Sequence, residues 1–275
     1  MELNKKLIFL HIPKTAGSTF HMILNKRYSK SDIYNIFGAR YSDDEVKKFI
    51  ALENSEKADI RLLKGHMPFG LHNYMPSKCS YITILRDPVE RVISQYYYIK
   101  KNKHNPFHDQ VENKSMSLQD FVTSGLSNGM NNTQCRFISG DFDKYPYGQC
   151  TDDLYIEVVN NINNFFVWIG ITDRFDESVL VLSHLLGWSS PPYYIRENVS
   201  KIRKSVNKLD KDTIDIIKEY NIFDIKLYEF ANKFLDDKIS KIENFDEKLK
   251  KYKQKNARIQ KKWGWLPDRF KYFVI

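Results

Sequence analysis

Residues 7–28 read LIFLHIPKTAGSTFHMILNKRY. The apolar run Leu7-Ile8-Phe9-Leu10 predicts a short buried strand. It gives out at His11-Ile12-Pro13 and passes into a small polar turn, Lys14-Thr15-Ala16-Gly17-Ser18-Thr19. Phe20, Ile23, Leu24 and Tyr28 then recur at helical spacing, so a helix follows. A strand, a small polar loop and a helix together point backbone N–H groups at an anion. Gly17 lets the backbone approach closely and Lys14 adds a point charge. The Ser18 and Thr19 hydroxyls can join the cradle or simply cap the helix. The pattern is a phosphate cradle by layout, although it is not GxxxxGK[ST].

With 275 residues and 42% hydrophobic content, the chain has material for one large α/β domain or two small ones. The net charge of +9 is unevenly placed: residues 236–262 carry a local +5 and residues 1–235 only +3. A mildly basic body suits an anionic nucleotide and an acidic polymer. No groove-reading motif marks a nucleic-acid binder. Cys79, Cys135 and Cys150 show neither metal-ligand spacing nor a disulfide framework, so free thiols in a reducing, cytoplasmic setting are expected. No stretch reaches the ~18 apolar residues of a membrane span. Lys5-Lys6 followed by LIFLHI is too short for a signal peptide.

Further along, Ile60-Arg61-Leu62-Leu63 predicts a second strand that delivers Lys64-Gly65-His66 into a Gly/Pro-punctuated loop. His66 at a strand end is a general-base candidate, because imidazole titrates near neutrality; a hydrogen-bonded loop histidine is the alternative. His72 lies in the same loop as a weaker candidate for substrate contact. Residues 80–85, SYITIL, form a third predicted strand, covered on both faces. Asp87 then reads as an N-cap, Pro88 as the first helical residue and Glu90 as the closing member of a capping box. Val89, Val92, Ile93, Tyr96 and Tyr97 give the helix its apolar face. Arg86 at the strand tip, with Ser94 two turns on, suits a second phosphate; a salt bridge from Arg86 to Asp87 or Glu90 fits equally. In the polar cluster 131–136, Gln134 and Arg136 either face an acidic substrate or knit the fold. Residues 165–171 predict a fourth strand, followed by an amphipathic helix ended by Gly187. A basic segment at 196–205 offers Arg203 and Lys204 to a phosphate, or is a solvated loop.

Strands alternating with helices predict a mostly parallel sheet covered on both faces, a P-loop-like α/β fold. The expected division is a domain over 1–235 and a basic amphipathic helical tail over 236–275. That tail suits self-association, an acidic polymer, peripheral contact with an anionic membrane surface, or packing back on its own domain. Ligands of such sheets collect beyond the carboxyl ends of the strands, where the Lys14 loop, His66 and Arg86 all fall.

HIPKTAGST resembles the 5′-phosphosulfate loop of sulfotransferases that use PAPS (3′-phosphoadenosine 5′-phosphosulfate), and ILRDPVERVISQYYY resembles their 3′-phosphate segment. The resemblance is greatest to the heparan sulfate and uronyl 2-O-sulfotransferases. It extends through FFVWIGITDRFDESVLVLSHLLGW and RENVSKIRKS to IKEYNIFDIKLYEFA, so it covers roughly residues 5–235. It implies that Lys14, Thr15, Ala16, Gly17, Ser18 and Thr19 hold the phosphosulfate. Arg86 and Ser94 would hold the 3′-phosphate, with Arg203 or Lys204 assisting. Those 2-O enzymes carry His-Gly-His where this chain has Lys64-Gly65-His66, so only the second histidine is kept, as the implied base. The implied reaction is in-line attack of a hydroxyl, from a carbohydrate acceptor, on the sulfur of PAPS, with Lys14 at the leaving phosphate and no metal. Two rival classes are a P-loop-type nucleotide kinase, which calls for a Walker lysine and a Mg²⁺-binding acid, and a non-catalytic glycan-binding module, which has no use for His66.

Overall fold

All seven residues of the strand CSYITIL are buried, and the molecule is built around it. The computed structural model describes residues 6–36, 43–196 and 209–267. In chain order these form β1 (Lys6–Leu10), α1 (Gly17–Arg27), β2 (Ile33–Ile36), α2 (Asp43–Ala51), α3 (Asn54–Asp59), β3 (Leu62–Gly65) and β4 (Cys79–Leu85). There follow α4 (Pro88–Lys101), α5 (Leu118–Thr123), α6 (Thr133–Ser139), α7 (Asp152–Phe165), β5 (Phe166–Ile171) and α8 (Phe175–Leu185). Three helices close the described chain: α9 (Lys211–Glu219), α10 (Ile222–Ser240) and α11 (Phe245–Trp263).

The five strands make one parallel sheet in the order β2-β3-β1-β4-β5. An apolar β-branched strand buried on both faces is what a sheet covered by helices requires. After β1 the chain moves to the β2 edge, returns through β3, then crosses to β4 and β5 on the other side. The strand order therefore reverses at β1, and the crevice beyond its carboxyl end is the place where such sheets bind ligands. Register fixes what surrounds that crevice: Leu10 lies opposite Gly65, and Phe9 opposite Ile82.

Four of the strands lie where the apolar runs put them. β2 is the addition: IYNI is short, half-buried and set in polar sequence, and it pairs only with β3. α2 and α3 are separate helices, because Glu53 caps the second through a reciprocal bond with Glu56. The apolar face of α4 packs away from the sheet, where Val92, Ile93 and Ile99 meet Phe121 of α5 and Ile217 of α9. Its other sides are thus available to the crevice.

The tail is helical and amphipathic. α10 runs unbroken past residue 236, and α11 turns Phe245, Tyr252 and Asn256 inward. The Tyr252 hydroxyl donates to the Pro192 carbonyl at 2.7 Å, and Asn256 Oδ1 accepts from the Tyr194 N–H at 3.0 Å. Burying a side chain as large as Tyr252 in this way contributes about 2 kcal/mol. α11 therefore packs against its own chain and presents its lysines outward.

Candidate functional site

The loop after β1 is held in an unusual backbone shape. Lys14 and Ala16 both have positive φ, 73° and 64°. Left-handed conformations are uncommon for residues with a side chain, and concentrate where the surroundings force them. Here Thr15 closes the turn by donating its hydroxyl to the Ile12 carbonyl at 2.8 Å, so that side chain shapes the loop. No side chain of Ala16 caps α1, and α1 has no acid in its first turn. The helix start is therefore a positive pole without an acid of its own. Gly17 has a reason the sequence did not disclose. A Cβ there would lie 1.7 Å from Nε2 of His11, so the missing side chain makes room for an imidazole rather than for backbone approach to an anion.

His11 is the centre of a histidine cluster. Its ring stacks on that of His66 at 4.2 Å between centroids, and its Nδ1 is 3.0 Å from Nε2 of His21. The Nδ1 of His66 lies 2.9 Å from the His11 carbonyl oxygen. A carbonyl only accepts, so that nitrogen carries the proton, and the neutral ring keeps its lone pair on Nε2. Burial lowers the pKa of His66; the carbonyl bond opposes this and the charge of Lys14 adds to it. Burial, then Lys64 and His66, takes His21 down to about 3. Burial first, then the charges of His66 and His21, holds His11 well below its usual value. At neutral pH the lowered pKa values keep all three imidazoles uncharged. Among the described residues no group of three or more His, Cys, Asp and Glu side chains is placed to hold a metal ion.

Lys14 lies with its ammonium 4.1 Å above the ring of Tyr98. Burial, with the nearby charges of Arg86 and Arg91, lowers its pKa to about 8. An anion in the loop would restore the charged form. Ser94 lies one turn before Tyr98 on the same face of α4. Arg86 reaches across the crevice, donating to the Lys14 carbonyl at 3.1 Å and pairing with Glu90 at 3.0 Å. Asp87 does cap α4 through the Glu90 N–H. The Glu90 carboxylate goes to Arg86 and leaves the expected capping box unformed. Arg86 thus bridges the loop after β1 to the start of α4.

Three expected site residues are not brought to this crevice. His72 bonds through its N–H and Nδ1 to the Tyr81 hydroxyl, each at 3.1 Å, and packs on Phe165. Tyr81 lies early in β4, opposite Ile8, so His72 is tied to the half of the sheet remote from the strand ends. Gln134 is fully buried and brackets the Arg86 peptide, accepting from its N–H at 2.9 Å and donating to its carbonyl at 3.0 Å. Arg136 is fully buried as well. It gives its N–H groups to the carbonyls of Asn131, Phe142, Tyr145 and Pro146 and to Asn131 Oδ1. A guanidinium with five such partners holds loops together and has no donor left for an acidic substrate. Arg203 and Lys204 lie outside the described residues. Conversely, the sequence reading missed His11 and His21. Their signal was available: two histidines ten residues apart, one at the end of the first strand and one on the helix that returns over it.

The sequence model of the family described as Galactose-3-O-sulfotransferase matches residues 2–262. Galactose-3-O-sulfotransferase 3 of Bos taurus is 25% identical over 243 residues, which is 82% of this chain and 55% of that protein. Heparan-sulfate 6-O-sulfotransferase 1 of Cricetulus griseus is 22% identical over 272 residues, covering 82% of this chain and 66% of its own. The crystal structure of mouse sulfotransferase SULT7A1 complexed with PAP overlays with a TM-score of 0.43 at 12% identity, covering 90% of this chain and 89% of that one. The chain spans little more than half the length of the galactose enzymes it matches. The match is to the galactose branch and extends through α11, beyond the 5–235 over which the 2-O resemblance was drawn.

Proposed function

Because this chain belongs to the Galactose-3-O-sulfotransferase family, we propose that it transfers the sulfuryl group of PAPS to a hydroxyl of a carbohydrate acceptor. The observation that carries the proposal is the meeting of three groups at the ends of adjacent strands: the Lys14 loop after β1, His66 after β3 and Arg86 after β4. The names of the relatives, galactose-3-O and heparan-sulfate 6-O enzymes, support a sugar as acceptor.

In the reaction the acceptor oxygen forms a bond to sulfur while the bond from sulfur to the bridging phosphate oxygen breaks, in line. The hydroxyl proton goes to Nε2 of His66, whose Nδ1–H stays on the His11 carbonyl. Negative charge collects on the leaving phosphate, which becomes the 5′-phosphate of 3′,5′-ADP. Lys14 and the start of α1 stabilise it, as positioned cations and dipoles do in phosphoryl transfer. Thr15, Ala16, Gly17, Ser18 and Thr19 frame the phosphosulfate, and Arg86 with Ser94 takes the 3′-phosphate. A reducing compartment, the cytoplasm, suits the three free cysteines. Self-association and membrane contact fall to the lysine face of α11, since its apolar side is used within the chain.

The test is calorimetric titration of 3′,5′-ADP, 5′-AMP and ATP, each without and with Mg²⁺, into wild type and Arg86→Ala. Preference for the bisphosphate that is lost in the variant is the expected result. Indifference to the 3′-phosphate overturns the reading, and tight binding of ATP only with Mg²⁺ turns it toward a kinase.

A further inference from the structure

The proposed reaction leaves one member of the histidine cluster without a task. His21 lies in the second turn of α1, the helix that opens from the phosphate loop, and reaches back to the end of β1. Its Nε2 is 3.0 Å from Nδ1 of His11, and among the described residues this is the one hydrogen bond of the His11 ring. Both rings are neutral, so one of these nitrogens donates and the other accepts. His21 also stands nearly upright on the neighbouring rings, at 5.2 Å and 68° to Phe9 and at 4.7 Å and 75° to His11.

His66 is located from His11 in two ways. The His11 carbonyl takes the Nδ1–H of His66, and the His11 ring lies against the His66 ring at 4.2 Å with 25° between their planes. A single hydrogen bond fixes one atom of an imidazole and leaves the ring free to turn about it. The direction of Nε2 is then decided by the ring on which His66 stacks. The His11 ring needs support of its own, because the terminal torsion of a histidine is broad and roughly two-fold. Phe9 stacks on it at 5.5 Å, and the bare Cα of Gly17 closes against its Nε2. Those are contacts of shape, which a flipped ring also satisfies. The bond with His21 is the contact that tells the two orientations apart. The seat of α1 does not depend on it: one turn further on, Asn25 Oδ1 accepts from Nζ of Lys64 in β3, and Phe20, Ile23 and Leu24 are buried.

We propose that His21 is a positioning residue for the base: by bonding Nδ1 of His11 it fixes the ring on which His66 stacks, and so aims Nε2 of His66 at the acceptor hydroxyl. The inference rests on the sulfotransferase reading above and gives that reaction a residue which does not touch substrate.

The experiment compares wild type with His21→Phe, which keeps a ring and loses the nitrogen, and His21→Gln, which keeps a polar group at the end of the side chain. Nucleotide-free protein labelled with ¹⁵N in its histidine rings is observed by NMR, and transfer from PAPS to methyl β-galactoside is followed in parallel. The chain has seven histidines, so His66→Gln identifies the His66 signal by its disappearance. Wild type is expected to show one sharp, slowly exchanging Nδ1–H for His66. In His21→Phe that signal broadens or is lost and kcat falls by about 10- to 100-fold, the size of a small misplacement of a reacting group, while the affinity for 3′,5′-ADP holds. His21→Gln recovers most of both. A wild-type His66 signal or a wild-type kcat in His21→Phe overturns the inference. So does a loss that His21→Gln does not recover, or one that falls equally on 3′,5′-ADP, because His21 then merely seats α1. Failure of the sulfotransferase reading is seen separately, as absence of 3′,5′-ADP binding by wild type, and the ring signals then decide by themselves whether His21 places His66.

Discussion

α1 and α6 begin alike and are completed differently. Each starts from a residue in left-handed conformation, Ala16 at φ 64° and Asn132 at φ 46°, and in neither case does that residue's own side chain cap the helix. At α6 the chain supplies the missing anion itself. The buried carboxylate of Asp224 accepts from the Gln134 and Cys135 N–H groups at 3.0 and 2.8 Å, and Asn132 Oδ1 returns the bond to the backbone of α10. At α1 no acid occupies the first turn, and Lys14 and Arg86 gather cationic charge instead. One helix start is closed by a carboxylate from ninety residues away, and the other is shaped for an anion from outside. A polar cluster in sequence is therefore ambiguous until one knows whether the fold provides its counter-charge.

The contrast breaks most visibly if the two ends are disabled in turn. His66→Ala at the α1 end is expected to lower kcat by about 10²–10⁴ with the urea midpoint held, the usual worth of a positioned base. Asp224→Ala at the α6 end is expected to cost about 3–5 kcal/mol of unfolding free energy, because it strands two backbone donors and the charge of Arg91. Loss of stability in the first variant, or none in the second, would dissolve the distinction. A milder check supplies the absent anion: 3′,5′-ADP at a hundred times its Kd should raise wild-type stability by about 2.7 kcal/mol and leave Arg86→Ala nearly unmoved. Gly17→Ala, which drives a methyl into the His11 ring, is expected to cost about 1–3 kcal/mol and to slow turnover by displacing the carbonyl that orients His66.

The smallest effects are those of pH. His11, His21 and His66 all have folded pKa values below their usual 6.5, so the folded chain binds fewer protons than the unfolded one below that value. Their contribution to stability is present above pH 6.5 and is lost as pH falls toward the folded values. Urea unfolding at pH 7 and pH 5 should show this slope, and His21→Gln should flatten it. The acid limb of kcat/KM should likewise lie below pH 6.5. Affinity for 3′,5′-ADP should fall as pH rises through about 8, where Lys14 loses its proton, by at most about tenfold per pH unit.

Much of this was legible because the fold announces itself locally. Apolar runs of strand length, each followed by a helical face, carry β1, β3, β4 and β5, and parallel pairing puts their ends together. β2 escaped because a four-residue edge strand in which only Ile36 is fully buried needs no apolar pattern. The chemistry of Gln134 and Arg136 escaped for the opposite reason: Gln134 meets the Arg86 peptide and Arg136 meets loop carbonyls that only the folded chain brings round it, and no local spacing encodes that. His11 was hidden in plain view, since a histidine ending a strand looks the same whether it points to solvent or stacks on a second ring. Arg91 reads as one more charge on an amphipathic helix until the fold shows that it is buried.

The contacts of α11 with residues 192–196 bear on how the chain is best handled. Gln260 bonds to both the Tyr194 carbonyl and the Arg196 N–H, so the extended segment lies along the last helix like a hem stitched to its lining. Arg196, the first residue of the basic stretch that holds Arg203 and Lys204, is thus anchored. Trimming the chain before residue 245 to obtain a tidier fragment would remove that anchorage while touching no residue of the crevice. The inherited unit, which ends at residue 262, finishes where the stitching does.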